Sequence, residues 1–285
     1  MFDFISKRDK KTKVPKTIMI EKEVEVEVKV PILKNSCITI ISNATTGKSF
    51  LTWNMAHCFS QNEYLTTVIN LDRGYSANSY FGIDESLDSA LEGIEEEKDF
   101  KSVFEKAYLV EPNLRVVTNK ICSDKEVPKD NILKLISSSG ASSDVTIIDT
   151  KSKVDETLKM IINYSNIVII VFDLDYMHYK LNLQMLEELK EDLNLDKTIA
   201  VINNTFDGCK EEDKIYKFIK ELKFKDIITV RNAGSEAYDT IYTQTCPYFT
   251  LEDKNFKDDI DTLMETLSAK SNEPKSFYKK MKNAF

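Results

Sequence analysis

The sequence predicts an α/β protein whose mainly parallel sheet carries helices on both faces. The first observation is a series of short apolar runs, most of them followed by about a dozen residues with helical spacing. The second is that several runs are apolar throughout, as strands buried on both faces are. The third is a polar loop after the first of these runs, which contains Gly47-Lys48-Ser49.

That first run and the residues after it predict a strand, a loop and a helix in succession. Residues 38–41 form the strand, and residues 49–59 have the spacing of a helix. The N–H groups of such a loop and the positive end of the next helix bind phosphate. Lys48 would contact the β- and γ-phosphates, and the Ser49 hydroxyl would bind Mg²⁺. Ser42 stands where the first glycine of a phosphate loop belongs, so a turn that merely contains Gly-Lys-Ser is the alternative.

Further apolar runs predict the other strands of the sheet, at residues 65–71, 145–150, 166–172, 198–202 and 227–230. Two of them end at an aspartate, Asp72 and Asp149. Open α/β sheets carry functional groups at the carboxyl ends of their strands. We therefore predict a Walker-B-type metal role for Asp149 and metal or water contact for Asp72, the alternative being that each caps the following turn. Asp173 and Asp175 also follow a strand, and we interpret them as loop residues.

Helical spacing follows most of these strands. The predicted helices cover residues 84–104, 132–136, 154–164, 179–193, 211–222, 235–244 and 256–267. The sequence also predicts a Ser/Gly loop at residues 137–143, and short apolar pieces lie at 107–110 and 114–117. Residues 18–30 alternate apolar with charged side chains, which predicts an exposed or edge strand.

The length of 285 residues and an ordinary composition, 42% apolar and 30% charged, favour one large domain. We place this domain at residues 17–270, between a disordered basic arm at 1–16 and a basic amphipathic tail at 271–285. A formal net charge of −8 excludes a surface that binds nucleic acid as a whole. The arm lacks the apolar core of a signal peptide, and the longest apolar run, residues 167–172, is too short to span a bilayer.

Cysteine and histidine usage bounds the compartment and the metal chemistry. The five cysteines contain no C-x-x-C pair, and Cys37, Cys58 and Cys246 lie in or beside apolar runs. This predicts reduced, mostly buried cysteines of a cytoplasmic protein. With two histidines in the chain, His57 and His178, a zinc site is not expected.

The order of these features resembles the MinD/ParA branch of the P-loop ATPases, a SIMIBI-like group with a deviant phosphate loop, over residues 35–267. The loop SNATTGKS at 42–49 takes the place of the family's G-K-G-G-x-G-K-[S/T]. Asn54-Met55-Ala56 is similar to the N-L-A of the next helix in the family. The segment VTIIDT at 145–150 resembles the family's strand y-I-I-I-D-t-p-p, with Lys151-Ser152 in place of the prolines.

The resemblance implies ATP and Mg²⁺ as cofactors and a set of site residues. Asn203 stands like the asparagine that contacts adenine in the family, and residues 231–249 resemble the segment over the nucleotide base. The implied nucleotide-binding residues are Ala44, Thr45, Thr46, Gly47, Lys48, Ser49, Phe50 and Asn203. Lys48 and Asp72 are the implied catalytic residues, and Ser49, Asp72 and Asp149 the implied metal-binding residues.

Two departures from the family pattern bear on activity. The family's characteristic lysine, which reaches the partner's phosphates across an ATP-bound dimer, would fall at Asn43. The second aspartate of its D-x-D, which positions the attacking water, is Gly74 here. Loss of a finger-type charge costs on the order of 10³–10⁵ in rate. The sequence thus leaves open whether the protein is a weak ATPase or does not hydrolyse ATP.

The resemblance implies a cytoplasmic, ATP-dependent homodimer that positions or recruits a cargo, such as plasmid, division, conjugation or secretion machinery, with a protein cargo or activator as partner. The alternative is a degenerate scaffold that acts through protein–protein contacts without hydrolysis. On a helix, Phe277, Met281 and Phe285 share one face. A frayed terminus that packs on the body is the first interpretation of residues 275–285; because family members bind anionic membrane through a similar tail, contact with the inner face of the membrane is the alternative the resemblance offers, and weak DNA contact is a further one.

Overall fold

A computed structural model describes residues 33–72, 75–83, 107–118 and 127–269, all of which lie in one compact unit of the chain. Its strands are β1 (Ser36–Ile41), β2 (Thr66–Asn70), β3 (Tyr108–Glu111), β4 (Leu114–Thr118), β5 (Val145–Asp149), β6 (Ile167–Phe172), β7 (Thr198–Thr205) and β8 (Asp226–Arg231). Its helices are α1 (Lys48–Gln61), α2 (Tyr75–Tyr80), α3 (Lys129–Ser142), α4 (Glu156–Tyr164), α5 (Tyr176–Glu188), α6 (Lys210–Glu221), α7 (Glu236–Thr243), α8 (Pro247–Thr250) and α9 (Lys254–Ala269), with a 3-10 turn at Leu195–Lys197.

The eight strands form one sheet in the order β3-β4-β2-β5-β1-β6-β7-β8. All neighbours are parallel except β3 and β4, which form an antiparallel hairpin at one edge. β1 lies in the middle, between β5 and β6. Ile40 and Asn70 both pair with Asp149. The carboxyl ends of β1, β2 and β5 therefore meet at one level of the sheet edge, where the loops after them converge.

The core explains why the central strands are apolar on both faces. Every residue of β5 and β6 is buried, and so is almost every residue of α1. α1 packs against α9 as well as against the sheet, so it is covered on more than one side, and its fully buried residues include Trp53, Met55 and Phe59. A helix that is covered on several sides has no need of a polar face, which is why α1 lacks an amphipathic pattern.

The predicted fold class is confirmed: the sheet is mainly parallel, and helices cover it on both faces. Each of the six predicted strands is present, with ends that differ by a few residues. The short apolar pieces at 107–110 and 114–117 form the β3–β4 hairpin, which the sequence did not resolve into strands. Helices α2 and α8 were not predicted.

The predicted loop at residues 137–143 is wrong, because α3 continues to Ser142. The helix buries Ile132, Leu135, Ile136 and Ser139, which have the spacing of one helical face. The Ser139 hydroxyl is completely buried and forms a hydrogen bond of 2.7 Å with the Thr146 hydroxyl of β5. Tertiary packing thus overrides the weak helix propensity of the Ser/Gly sequence.

Several predictions fall outside the described residues. These are the basic arm at 1–16, the alternating strand at 18–30, the acidic helix at 84–104 and the amphipathic tail at 271–285. The cysteine prediction is testable at four positions: all four cysteines are free, Cys37, Cys58 and Cys246 are buried as expected, and Cys209 is partly exposed. In the described part of the chain, no helix is both long enough and apolar enough to cross a membrane.

Candidate functional site

The loop between β1 and α1 closes on a glycine that no other residue can replace without strain. Gly47 has a φ of 89°, in the left-handed region that favours glycine. A Cβ atom at this position would lie 2.3 Å from the side-chain amide nitrogen of Asn203. That nitrogen donates a hydrogen bond of 2.9 Å to the carbonyl oxygen of Thr46. Asn203 therefore packs into the space that the missing side chain of Gly47 leaves.

Asn203 reaches the loop because β7 is irregular at this point. The register between β7 and β8 shifts between Ile202 and Thr205, and Asn204 has a φ of 57°. Such a bulge turns a side chain away from its regular direction. The side-chain oxygen of Asn203 is buried and has no hydrogen-bond partner among the described residues. It is an acceptor that an exocyclic amine of a bound base would satisfy.

The first turn of α1 presents N–H groups toward the loop. The first helical hydrogen bond runs from the N–H of Leu51 to the carbonyl of Gly47, so the helix itself does not use the N–H groups of Lys48, Ser49 and Phe50. The hydroxyl of Thr46 is also buried and without a partner in the described part of the chain. Thr45 is exposed at the outer bend of the loop. These groups together form a donor-rich surface that suits an anion.

Lys48 is the cation of this surface. Its side chain is buried, and its ammonium donates a hydrogen bond of 2.7 Å to the hydroxyl of Ser152 in the loop after β5. Burial lowers the pKa of Lys48, and the charges of Asp149 and Asp72 act to raise it. The three charged groups are therefore electrostatically coupled.

Asp149 ends β5 and is fully buried. Neither of its carboxyl oxygens has a hydrogen-bond partner of normal geometry among the described residues. Burial raises the pKa of Asp149 to about 6, although the nearby Ser49 hydroxyl and Lys48 ammonium lower it and Asp72 raises it further. The Ser49 contact leaves most of this buried carboxyl unsatisfied, which is costly because charge removed from water needs a partner. A bound cation would supply that partner.

Asp72 follows β2 and is positioned by a buried polar network. Its N–H donates a hydrogen bond of 3.1 Å to the side-chain oxygen of Asn70. The amide nitrogen of Asn70 donates in turn to Asn78 at 3.3 Å and to the hydroxyl of Thr118 at 3.0 Å. The network joins the carboxyl ends of β2 and β4, and it fixes the backbone from which the Asp72 carboxyl extends.

The first half of the loop is held by a residue that the sequence did not reveal. Asn182 of α5 is completely buried. Its side-chain oxygen accepts from the N–H of Asn43 at 2.8 Å and from the hydroxyl of Ser42 at 3.1 Å. Ser42 also accepts a hydrogen bond from the N–H of Ala44. Ser42 is not among the described residues with positive φ, so its position does not require the glycine that the usual pattern has there.

Phe50 and Asn54 connect α1 to elements beyond the loop. The ring of Phe50 packs edge-on against Trp53 and Tyr80, so only its backbone is left for a ligand. Burial raises the pKa of Tyr80, and the charge of Asp149 adds to this, which locates the unpredicted α2 beside the site. The side-chain oxygen of Asn54 accepts from the N–H of Tyr248 at 3.1 Å and thereby holds the start of α8 against α1.

The donor set fits magnesium with a nucleotide. No cluster of three or more His, Cys, Asp or Glu side chains that could hold a metal occurs in the described ranges. Mg²⁺ needs no such cluster, since it binds through one or two protein oxygens and completes its octahedron with water and phosphate oxygens. The hydroxyl of Ser49 and the buried carboxyl of Asp149 are the hard oxygen ligands that it prefers, and Asp72 interacts electrostatically with both Lys48 and Asp149.

Comparison with known families identifies the domain. Residues 38–242 match the model of the CobQ/CobB/MinD/ParA nucleotide-binding domain. The chain belongs to this family. The match spans the loop, the strands that carry Asp72 and Asp149, and Asn203, so the resemblance inferred from the sequence is confirmed at the level of the family.

Solved structures share the fold at low sequence identity. A ParA family ATPase from Chlorobium tepidum superposes with a TM-score of 0.69 at 14% identity, over 80% of this chain and 98% of that one. A plasmid partition protein from Borrelia burgdorferi, solved with AMPPNP, gives 0.65 at 21% identity over 82% and 99%. The septum site-determining protein MinD of Pyrococcus horikoshii, solved with Mg-ADP, gives 0.65 at 11% over 81% and 95%. No curated protein shows significant sequence similarity to this chain.

The structure brings the predicted carboxylates to the predicted loop. Lys48, Ser49, Asp72 and Asp149 interact with one another electrostatically, and Asn203 contacts the backbone at Thr46. Sequence reasoning missed Asn182 and Ser152, which hold the two ends of the site in its present form. The only signal for Asn182 was an amide inside an otherwise apolar helical face, and such a signal does not identify the partner.

Proposed function

We propose that the protein binds ATP with Mg²⁺ in the loop between β1 and α1 and acts as a nucleotide-dependent switch. The observation that carries this proposal is the Asp149 carboxyl, which is fully buried, has no hydrogen bond of normal geometry in the described part of the chain, and interacts with Lys48 and Ser49 at the start of α1. A buried acceptor next to a donor-rich helix start is complementary to a metal and the phosphates that share it. The family and the ligands named for its solved relatives support the same assignment.

Each proposed residue has a separate role. Lys48 exchanges its bond to Ser152 for the β- and γ-phosphates, while the N–H groups of the first turn of α1 surround the phosphate chain. Ser49 and Asp149 are the residues that would hold Mg²⁺, and the ion would neutralise charge on the phosphates. Asp72 orients the attacking water or a metal-bound water, and the side-chain oxygen of Asn203 accepts from the base. ATP hydrolysis then resets the switch.

We further propose that two copies assemble around ATP and that the ATP-bound form recruits a protein cargo or activator. Support comes from relatives that are partition and septum site-determining proteins. In this proposal the protein is cytoplasmic and uses residues 275–285 for contact with an anionic membrane. DNA contact through the lysines of residues 275–285 is a less favoured alternative to membrane contact.

A scaffold without hydrolysis is the second candidate. Two observations favour it: position 43 of the loop is a neutral asparagine whose side chain donates to the carbonyl of Leu181, and Lys48 is already bound to Ser152. When the polar groups of the loop already form hydrogen bonds within the protein, phosphate binding provides less additional stabilisation. In this form nucleotide stabilises the fold, and the function lies in protein–protein contacts.

Calorimetry with Mg-ATP, together with a turnover assay on the same sample, separates these forms. Wild type and Lys48→Ala are compared, with Lys153→Ala as the control, since Lys153 is an exposed lysine in the neighbouring loop after β5. We expect the wild type and Lys153→Ala to bind alike and Lys48→Ala to lose binding, because Lys48 is the cation of the loop. Turnover that depends on Lys48 supports the switch, binding without turnover supports the scaffold, and absence of binding by the wild type contradicts the nucleotide site.

A further inference from the structure

A histidine–aspartate pair follows β6, the strand beside β1, and has no role in the site described so far. The Nδ1 atom of His178 is 2.7 Å from the Oδ2 atom of Asp173. Asp173 follows β6 and is nearly buried, and its other oxygen accepts a hydrogen bond of 3.1 Å from the N–H of Asp175. Because an ionised carboxylate only accepts, the Nδ1 atom of His178 is the donor in this pair.

The second nitrogen of the ring is left for a ligand. In the described part of the chain, the ring of His178 makes no hydrogen bond other than that with Asp173. Its side chain is 27% exposed, so Nε2 is accessible at a rim rather than enclosed in the core. A carboxylate that accepts from one imidazole nitrogen orients the ring and fixes the direction of the other nitrogen. When both nitrogens carry a proton, such a ring donates from Nε2.

The helix that carries His178 is the helix that holds the first half of the loop. Four residues after His178, Asn182 accepts from the N–H of Asn43, and the carbonyl of Leu181 accepts from the Asn43 side chain. Residues four apart lie on one helical face, about one turn of 5.4 Å from each other. His178 therefore lies one turn closer to the start of α5 than the residue that touches the loop, on the same face. The start of α5 is at the carboxyl edge of the sheet, where the loop also lies.

The distribution of charge in the loop indicates what a donor at the position of His178 would bind. Between Ser42 and Ser49 the loop contains one cation, Lys48, and the first half of the loop is neutral. A nucleoside triphosphate carries one phosphate more than the diphosphate and is therefore more negatively charged. Lys48 lies at the second half of the loop, so the loop itself offers no cation to the terminal phosphate on the side of Asn43.

We propose that His178, oriented by Asp173, donates from Nε2 to the terminal phosphate of a bound nucleoside triphosphate and so distinguishes it from the diphosphate. This rests on the proposed function, because it requires a nucleotide in the loop. Asp173 is a positioning residue that acts through the ring. The pair supplies, from α5, a donor on the side of the loop where Asn43 offers no cation.

The two histidines of the chain make a direct measurement practical. In a nitrogen-15 spectrum of the imidazole rings, the full-length protein gives signals from His178 and His57 alone. His57 is buried and bound to Glu111 at 2.8 Å, so it serves as an internal control. We expect the Nε2 signal of His178 to shift when Mg-AMPPNP is added and to stay in place with Mg-ADP, while His57 is unchanged with both.

Affinities of variants test the same contact. His178→Ala removes a hydrogen bond to a charged group, so affinity for Mg-AMPPNP should fall about tenfold. Affinity for Mg-ADP, which lacks the terminal phosphate, should fall by less than about twofold. His178→Lys retains a cation and is expected to recover most of the loss. Asp173→Asn is expected to lose part of the affinity for Mg-AMPPNP. In the His178→Ala background, Asp173→Asn should cause a smaller additional loss, because the two side chains act as one unit. Lys180→Ala is the control, since Lys180 is a cation of the same helix that lies over the ring of Tyr176.

The outcomes separate the two proposals. If the wild type binds neither nucleotide, the proposed function is contradicted and the role of His178 falls with it. If the wild type binds both nucleotides, and either its His178 signal does not move or His178→Ala weakens binding of both equally, the histidine only stabilises α5 and this inference is overturned. Equal losses in His178→Ala and Lys180→Ala would also overturn it, because they would indicate general charge rather than a contact.

Discussion

The two halves of the loop between β1 and α1 differ in how their polar groups are satisfied. In the first half, Ser42 and Asn43 are held by the side chain of Asn182, and Ala44 is held by Ser42. In the second half, the hydroxyl of Thr46 is buried without a partner in the described part of the chain. The first turn of α1 likewise presents N–H groups that the helix does not use.

The difference distinguishes structure from function inside one short segment. A polar group that the protein already satisfies contributes to stability, and a ligand gains little by approaching it. A buried group without a partner costs stability, and a protein retains it where something else supplies the partner. The first half is therefore the anchor of the loop, and the second half, with Asp149 beneath it, is the ligand-binding part.

Removing the anchor is expected to have the largest effect. Asn182→Ala leaves the N–H of Asn43 and the carbonyl of Val171 without their partner, and the two together cost about 4 kcal/mol of unfolding free energy. Urea denaturation, followed by the fluorescence of the only tryptophan, Trp53, measures this, because that side chain is fully buried.

Asn163→Ala is the matched control for the anchor. Asn163 is an asparagine that donates to Lys159 and Asp192 at an exposed position of α4, so its loss is expected to change stability by less than about 0.5 kcal/mol. A cost below about 1 kcal/mol for Asn182→Ala would show that water replaces the amide and that the anchor is not structural.

The destabilisation that the buried Asp149 carboxyl causes in the ligand-binding part is expected to depend on pH. The pKa of Asp149 is about 6 in the folded protein and has its ordinary value of 3.8 in the unfolded chain. The folded state therefore holds the extra proton between these values, and stability falls as pH rises through this window. The difference corresponds to about 3 kcal/mol, which is fully lost above pH 6.

Asp149→Asn isolates this contribution. Other carboxylates titrate in the same range, so the measured quantity is the difference in unfolding free energy between wild type and variant at several pH values. Without nucleotide, we expect the unfolding free energy of the variant to rise relative to that of the wild type by about 3 kcal/mol between pH 4 and pH 7. A difference that stays constant with pH would mean that Asp149 is not held in an unfavourable charged state.

The sequence predicted more of the fold than of the anchor, for a physical reason. Apolar runs report burial at each position by themselves, and so residues 145–150 and 166–172 were assigned correctly as strands. The error at residues 137–143 arose where local propensity and packing disagree. There Ser139, in a segment of weak helix formers, is fixed by a hydroxyl of β5 that no local pattern shows.

The candidate site divides in the same way. Lys48 and Ser49 are local in the sequence, because a phosphate loop is one contiguous turn. Asn182 lies 139 residues from Asn43, and nothing in the sequence of α5 indicates which loop its amide contacts. The orphaned oxygens of Asp149 were equally hidden, since a strand-ending aspartate and a capping aspartate look alike in sequence.

Between the two halves, Gly47 is expected to show an intermediate effect. Gly47→Ala forces a side chain into a φ of 89° and against the amide of Asn203, which costs about 2 kcal/mol and weakens nucleotide binding. Gly140→Ala is the opposite case, because Gly140 is helical with open space around it, and there alanine stabilises by about 0.5–1 kcal/mol. Thermal or urea unfolding of both variants makes the comparison, and destabilisation of equal size would contradict the special role of the loop position.

The smallest expected effect concerns the present partner of Lys48. Ser152→Ala removes an exposed hydroxyl, so the unfolding free energy should fall by less than about 1 kcal/mol. Because Lys48 no longer has to leave this hydroxyl, affinity for Mg-ATP should rise by about twofold. Ser142→Ala, at an exposed hydroxyl that bonds only within α3, is expected to leave the affinity unchanged. Calorimetry distinguishes the two. If Ser152→Ala weakens binding instead, the hydroxyl belongs to the anchored half of the site, and the boundary between anchor and ligand-binding part lies beyond Lys48.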